Sequence, residues 1–381
     1  MRTEYTEYET VIGETSYLRR DRLKELGEVD VVVFDCDGVL LDVRESYSRA
    51  VAETTSILME AMTGVRIPRN LFDGGLNRAY KRTGGFNNDW TLSYALTMRT
   101  LAELPESVLG NLGEVAGETL RYDTPRDRLD HFRENKVEAE ILVETLYERL
   151  HGFAEDLDSS GVEAVDKALL KKLGPNIKMA LGYPGIVGES VISTLFEEVL
   201  CGADLFERSH GFKAAFTAES TGFIENETLI VHGDTIEKLM DLLGGDRIGI
   251  ASGSLYATAM HVLGDSISQI RREAQVWYEN VEEAQRRREA VGLHKPAPYS
   301  LLRASKPFKP YDRILYVGDT LADRLMVRNA GEPKFMFAGV YGNVHNVDEA
   351  RDDFLSSGSD IVAPTVNDLP ELLRYAGGET I

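Results

Sequence analysis

Residues 29–39 read VDVVVFDCDGV. The run from Val31 to Phe34 is apolar without alternation, and β-branched residues dominate it. Continuous apolar character over so short a stretch predicts a strand buried on both faces, as in a parallel sheet covered by helices. The run stops at Asp35-Cys36-Asp37-Gly38, so the strand delivers two aspartates to the loop at its carboxyl end.

Working outward, the same pattern recurs only far downstream. RIGIAS (247–252), RILYVGD (313–319), KFMFAGV (334–340) and SDIVAP (359–364) read as further strands, with helices such as TIEKLMDLL (235–243) and DLPELLRYA (368–376) beside them. Alternating β and α units imply an α/β fold, a Rossmann-like parallel sheet built from residues 28–44 and 229–381. Residues 264–291 read as a charged helical stretch carrying Trp277. Between the two halves, residues 45–228 show helical periodicity, for example Val137, Ile141, Leu142, Leu146 and Leu150, with loop punctuation at TGGFNNDW (83–90) and LGYPG (181–185). These residues are assigned to a large inserted all-helical cap domain. Leu18, Leu23 and Leu26 among charges predict a helix over 14–26, which makes residues 1–27 a helical N-terminal extension.

Composition narrows the function. The chain of 381 residues carries 63 acidic against 42 basic residues, a net charge of −21. That field repels polyanions, so nucleic acid and anionic membranes are not expected partners. The N-terminal stretch has charges throughout and no apolar core of a signal peptide, and no apolar run reaches the roughly 18 residues of a spanning helix. With two cysteines, Cys36 and Cys201, a disulfide framework is not the stabilising device, and a cytoplasmic location is expected.

Three strand ends carry polar residues suited to one reaction: Asp35-Cys36-Asp37-Gly38, Ser252-Gly253-Ser254, and Gly318-Asp319 with Asp323 four residues on. His294-Lys295-Pro296-Ala297-Pro298 lies between the last two. Ligands of open α/β sheets bind at the carboxyl ends of strands, where these groups gather. Hydrolysis of a phosphate monoester is limited by charge and positioning. A carboxylate such as Asp35 can attack phosphorus and split one hard step into two through an aspartyl-phosphate. Its own charge demands nearby cations. Mg2+ takes octahedral oxygen ligands, which Asp35, Asp319 and the Asp37 carbonyl can supply, with Asp323 a direct ligand or a residue just outside the ligand set. Lys295 offers a point charge for phosphoryl oxygens, while Ser252 and the backbone N–H around Gly253 offer donors. Asp37 is placed to act as general acid and then base.

The four motifs in this order, DxDGV after an apolar strand, a strand ending in Ser, KPAP and GDxxxD, resemble the haloacid dehalogenase-like superfamily. The resemblance implies Asp35 as nucleophile, Asp37 as acid/base, Ser252 and Lys295 as the phosphate-binding pair, and Asp35, Asp37 and Asp319 as magnesium ligands. A helical cap inserted directly after the first motif resembles subfamily I with a C1-type cap, in the phosphoglycolate phosphatase and β-phosphoglucomutase branch. The cap departs from that branch in length, with an extra helical stretch near residues 105–180, so a substrate does not carry over.

Blander readings stand beside these. Asp42 reads as structural, Cys36 as packing, and His294 as a hydrogen-bonding neighbour of Lys295. For GGFNNDW, substrate selection by Asn87, Asn88, Asp89 and Trp90, with Arg44, Lys81 and Arg82 as anchors for an anion, competes evenly with a helix connection capped by Asp89. The expected function is a magnesium-dependent phosphatase of a small phosphorylated metabolite. The alternatives are a phosphomutase of the β-phosphoglucomutase type and a non-catalytic binding module. A homodimer formed through the extra cap helices stays open.

Overall fold

The computed structural model describes residues 5–72, 74–86, 88–288, 292–344 and 346–379. Packing divides the chain into two compact units, residues 1–44 with 227–381, and residues 45–226.

The first unit is built on an eight-stranded sheet. In chain order the strands are β1 (Tyr8–Val11), β2 (Ser16–Arg19), β3 (Val31–Phe34), β4 (Leu41–Asp42), β5 (Thr228–Leu229), β6 (Ile248–Ala251), β7 (Gln275–Val276), β8 (Ile314–Gly318), β9 (Phe335–Val340) and β10 (Ile361–Ala363). β4 and β5 pair separately as a small antiparallel ribbon, and the others lie in the order β1-β2-β10-β9-β8-β3-β6-β7. From β10 to β7 every neighbouring pair is parallel. The five strands expected from their continuous apolar runs all form, and each is buried along its whole length. Alternate residues serve opposite faces. Val32, Phe34, Leu315, Val317, Ile248 and Ile250 enter one core layer, while Val31, Val33, Ile314, Tyr316 and Phe337 enter the other.

The N-terminal segment is not the helix expected. Tyr8–Val11 and Ser16–Arg19 form an antiparallel hairpin, and β2 adds antiparallel to β10 through Leu18–Ile361 and Tyr17–Val362. Ile12–Thr15 makes a tight turn with left-handed backbone between the two strands, and after a short 3-10 turn at Arg20–Arg22 a single helical turn follows at Leu23–Leu26. The alternation of buried Ser16 and Leu18 with half-buried Tyr17 and Arg19 decides the matter, because it lays Leu18 into the core beside an open strand edge. Two other helical expectations also fail locally. Within 264–291, Gln275–Val276 forms β7 on the edge of β6, and the helix begins only at Tyr278. In the second unit the segment from Val137 to Leu142 is not helical. Val137 and Ala139 donate backbone bonds to Met62 and Thr63 at the end of the helix Tyr47–Thr63, and the next helix starts at Leu146.

Among the described residues, 45–226 holds helices and no strand. Tyr47–Thr63 packs against Asp89–Leu101 and Val191–His210 at its centre. The last of these helices is broken at Gly202, whose φ of 73° and close approach to the Thr221–Gly222 backbone leave no room for a side chain. No described helix is long and apolar enough to cross a membrane.

Candidate active site

The sheet carries the functional side chains past its carboxyl edge. Asp35 follows Phe34, and its N–H still bonds the Val317 carbonyl at 2.8 Å, so the ladder with β8 fixes the residue before the loop departs. Ser252 is held in the same way by Val276, at 2.9 Å. The loop after Asp35 is tight. The Cys36 carbonyl accepts from the N–H groups of Val39, Leu40 and Leu41, while Gly38 donates to the Leu41 carbonyl at 2.8 Å. Gly38 has φ 73°, and a Cβ there would lie 2.1 Å from Asp319 Oδ2. Glycine is therefore required both by the backbone and by the carboxylate seated against it.

Lys295 sits among the acids, with Nζ 2.7 Å from Asp35 Oδ2 and 2.8 Å from Asp323 Oδ1. Asp35, Asp319 and Asp323 bring carboxylate oxygens within 4.8 Å of one another. Burial pushes Asp35 up to about 7 despite the pull of Lys295, and the charge of Asp323 adds to the rise. Burial, followed by Asp323 and Asp35, drives Asp319 well above the carboxylate range. Burial alone would lower Lys295, but the Asp323 and Asp35 carboxylates hold it above its ordinary value. One lysine thus faces several crowded anions, which is a setting a bound cation would relieve. The donors are all hard oxygens, and the site fits Mg2+ better than a soft metal.

Asp323 is the most heavily tied of the acids. Its Oδ2 accepts from the Thr320 N–H at 3.1 Å and the Thr320 hydroxyl at 2.6 Å, forming a capping box at the helix Leu321–Asn329. Its Oδ1 takes Lys295 and the Tyr316 hydroxyl, the latter at 3.2 Å. Metal ligation by Asp323 would displace one of these partners, whereas Asp35 and Asp319 converge with fewer ties to the fold. Asp37 is half-buried on the loop, and its charge helps to raise both Asp35 and Asp319.

Ser252 is buried, with its hydroxyl 2.9 Å from that of Ser254 and accepting from the Ser254 N–H at 3.1 Å. Gly253 between them is exposed, with open space where a Cβ would stand. His294 Nε2 lies 2.6 Å from Glu282 Oε1, and its ring stacks on Tyr278 at 5.1 Å, which makes it a neighbour that steadies the Lys295 loop. Burial, then the charges of Asp37 and Asp35, push the Cys36 thiol up and keep it neutral, as a packing residue requires.

Asp35, Asp37, Ser252, Gly253, Lys295, Asp319 and Asp323 all belong to the first unit. Arg44 belongs to it too, and binds Asp42 through Nε at 2.8 Å and Nη2 at 2.5 Å, so Asp42 organises the loop as expected. The remaining candidates lie in the second unit. Asn87 falls outside the described residues. The N-cap of Asp89–Leu101 is Asn88 rather than Asp89, with Asn88 accepting from the N–H groups of Trp90 and Thr91. Asn88 has the extended N-cap backbone and its side-chain oxygen takes the first free N–H groups, while Asp89 enters the first turn to pair with Lys81 at 2.9 Å. Trp90 is buried and donates its indole N–H to Glu197 at 2.9 Å.

Ser254 and Thr320 stand in the polar strand ends without a role legible from sequence, and Tyr316 gives little sign of one. Tyr316 sits inside RILYVGD, where it reads as one more apolar strand residue. Only its hydroxyl, which must find a partner when buried, gave a hint. Burial, then Asp323, push its pKa well above the usual tyrosine value, so it stays a neutral donor.

The family described as haloacid dehalogenase-like hydrolase matches residues 29–331. Among solved structures, the X-ray structure of a Northeast Structural Genomics Consortium target aligns with a TM-score of 0.62 at 19% identity, covering 91% of this chain and 98% of that one. A phosphatase from Thermococcus thioreducens aligns at 0.46 and 20% identity (86% and 99% covered), and a hydrolase from Pseudomonas syringae at 0.36 and 14% (91% and 98% covered). At these identities the first shows a shared fold. No curated protein matches in sequence.

Proposed function

The chain belongs to the haloacid dehalogenase-like hydrolases, and from that premise we propose that it is a magnesium-dependent phosphatase acting on a small phosphorylated metabolite. The observation that carries this reading is Lys295 bridging Asp35 and Asp323 beside Asp319, which sets one cation and a hard-oxygen donor set around a buried carboxylate.

In this reading Asp35, Asp319 and the backbone carbonyl of Asp37 would hold Mg2+, with Asp323 supporting the arrangement. When bound, the metal supplies positive charge that offsets repulsion between the Asp35 carboxylate and a phosphoryl group. Asp35 attacks phosphorus, and the bond to the leaving oxygen breaks as an aspartyl-phosphate forms. Asp37, two residues on, gives a proton to the departing alkoxide and then takes one from the water that cleaves the aspartyl-phosphate. Lys295 leaves Asp323 for the phosphoryl oxygens, and the Ser252 hydroxyl and Gly253 N–H donate to others. The helical 45–226 unit supports placing the chain in the branch with a helical cap after the first motif. The acidic field supports a small-molecule substrate over a nucleic acid. The low cysteine content supports a reducing compartment.

The test is phosphate release from a panel of phosphorylated metabolites, with magnesium and with chelator, beside the Asp35→Asn protein. Magnesium-dependent release that the variant lacks is the expected result. Equal release by the variant would remove Asp35 as nucleophile, and phosphoryl return to the substrate without release would move the reading to a phosphomutase.

A further inference from the structure

Tyr316 reaches further than its place in the strand suggests. On β8 it pairs with Val33 of β3, and β3 pairs in turn with β6. Its hydroxyl nevertheless lies 2.9 Å from the Ala251 carbonyl at the end of β6. Adjacent strands are about 4.8 Å apart, so the phenol crosses the whole width of β3 to bond a strand two places away. The side chain is fully buried. The same hydroxyl lies 3.2 Å from Asp323 Oδ1, and the Lys295 ammonium stands 5.4 Å from the centre of the ring. One residue therefore meets the carbonyl that precedes Ser252, the carboxylate that holds Lys295, and Lys295 itself.

We infer that Tyr316 is a positioning residue for the phosphoryl-binding pair Ser252 and Lys295, acting through the Ala251 carbonyl and through Asp323, and this rests on the phosphatase reading above. A phenol has one proton, and here it has two acceptors. Without a phosphoryl group, Asp323 Oδ1 is satisfied by Lys295 at 2.8 Å, and the shorter phenol contact is the one to Ala251. When phosphoryl oxygens draw the ammonium away, the O–H turns to Oδ1 and replaces the lost donor. A buried carboxylate stripped of a partner is costly, so this substitution lowers the cost of releasing Lys295 to the substrate. The ring face remains beside the ammonium through the exchange.

The experiment compares wild type, Tyr316→Phe and a variant with 4-aminophenylalanine at 316, all as the full chain with magnesium. It measures the Kd for inorganic phosphate by calorimetry, the Kd for Mg2+, the thermal midpoint, and KM and kcat on a substrate from the panel. Loss of one hydrogen bond to a charged group predicts about tenfold weaker phosphate binding and a matching rise in KM for Tyr316→Phe. Mg2+ affinity and kcat should stay within about twofold by the same reasoning, and the amino variant, which keeps a donor in place, should recover phosphate binding. Unchanged phosphate affinity in Tyr316→Phe would overturn the inference while leaving an active wild type, and with it the phosphatase reading, intact. Failure of the phenylalanine variant to fold would assign the hydroxyl to the fold alone, which also overturns it. A wild type that neither binds phosphate nor releases it would overturn both.

Discussion

In chelator, the protein's stability should depend on pH in a direction to which both Asp35 and Asp319 contribute, with Asp35 the one that can be worked through. Its carboxyl is raised from 3.8 to about 7 in the folded chain. Between those values the folded state holds a proton that the unfolded state has given up, so stability falls as pH rises through this window and levels off above it. At about 1.4 kcal/mol per pH unit, the raised value corresponds to a cost of about 4 kcal/mol at pH 8. For a unit of this size that is roughly 10 °C of melting temperature. The assay is thermal unfolding in chelator from pH 5 to pH 8.5, for wild type and for Asp35→Asn, which cannot ionise. Wild type should lose stability relative to the variant as pH rises, and millimolar magnesium at pH 8 should close the gap. Parallel pH profiles for the two proteins in chelator would refute the argument that crowding of buried carboxylates, rather than some other group, sets the metal-free behaviour.

Two further outcomes follow from the packing. Gly38→Ala combines a left-handed φ with a Cβ 2.1 Å from Asp319 Oδ2, so it should weaken Mg2+ binding at least tenfold by displacing that carboxylate, read by calorimetric titration; unchanged affinity would mean that Asp319 does not hold the metal. Leu18→Ala removes a fully buried side chain from the strand that completes the sheet at β10, and should cost about 2–5 kcal/mol in denaturant unfolding. A loss below about 1 kcal/mol would show that the hairpin frays freely.

What could be read from sequence was whatever depends on the order of residues along one strand. Continuous apolar runs announced five parallel strands, and three of the runs lead directly into the polar residues Asp35, Ser252 and Asp319 that the fold gathers at its carboxyl edge. Asp35 and Asp323 come together because they follow neighbouring strands, whose ends lie about 4.8 Å apart, and the loop before the helix Tyr299–Ser305 brings Lys295 to both. Tyr316 was hidden because its contacts run across the sheet, perpendicular to anything a periodicity can register. The N-terminal hairpin was hidden differently. Leu18, Leu23 and Leu26 satisfy a helical spacing as well as a strand does, and the vacant edge of β10 that settles the choice lies at the far end of the chain. At Val137–Leu142 the apolar spacing again suited a helix, yet the bonds to Met62 and Thr63 hold the segment extended. Asn88 displaced Asp89 as cap by a single position, within the usual uncertainty of helix ends.

That hairpin also dictates when the sheet can be completed. Tyr8 donates its hydroxyl bond to a carbonyl 351 residues later, and β2 pairs with a strand made equally late. At roughly 5–20 residues per second on the ribosome, the first strands emerge and then wait about 20 to 70 s for their partner. During that interval a charged segment, with Glu7, Glu9, Arg19 and Arg20 among its residues, must stay dissolved. Docking of the hairpin therefore has to follow synthesis of β10, and a product truncated between the two would carry an uncapped sheet edge open to pairing with another chain.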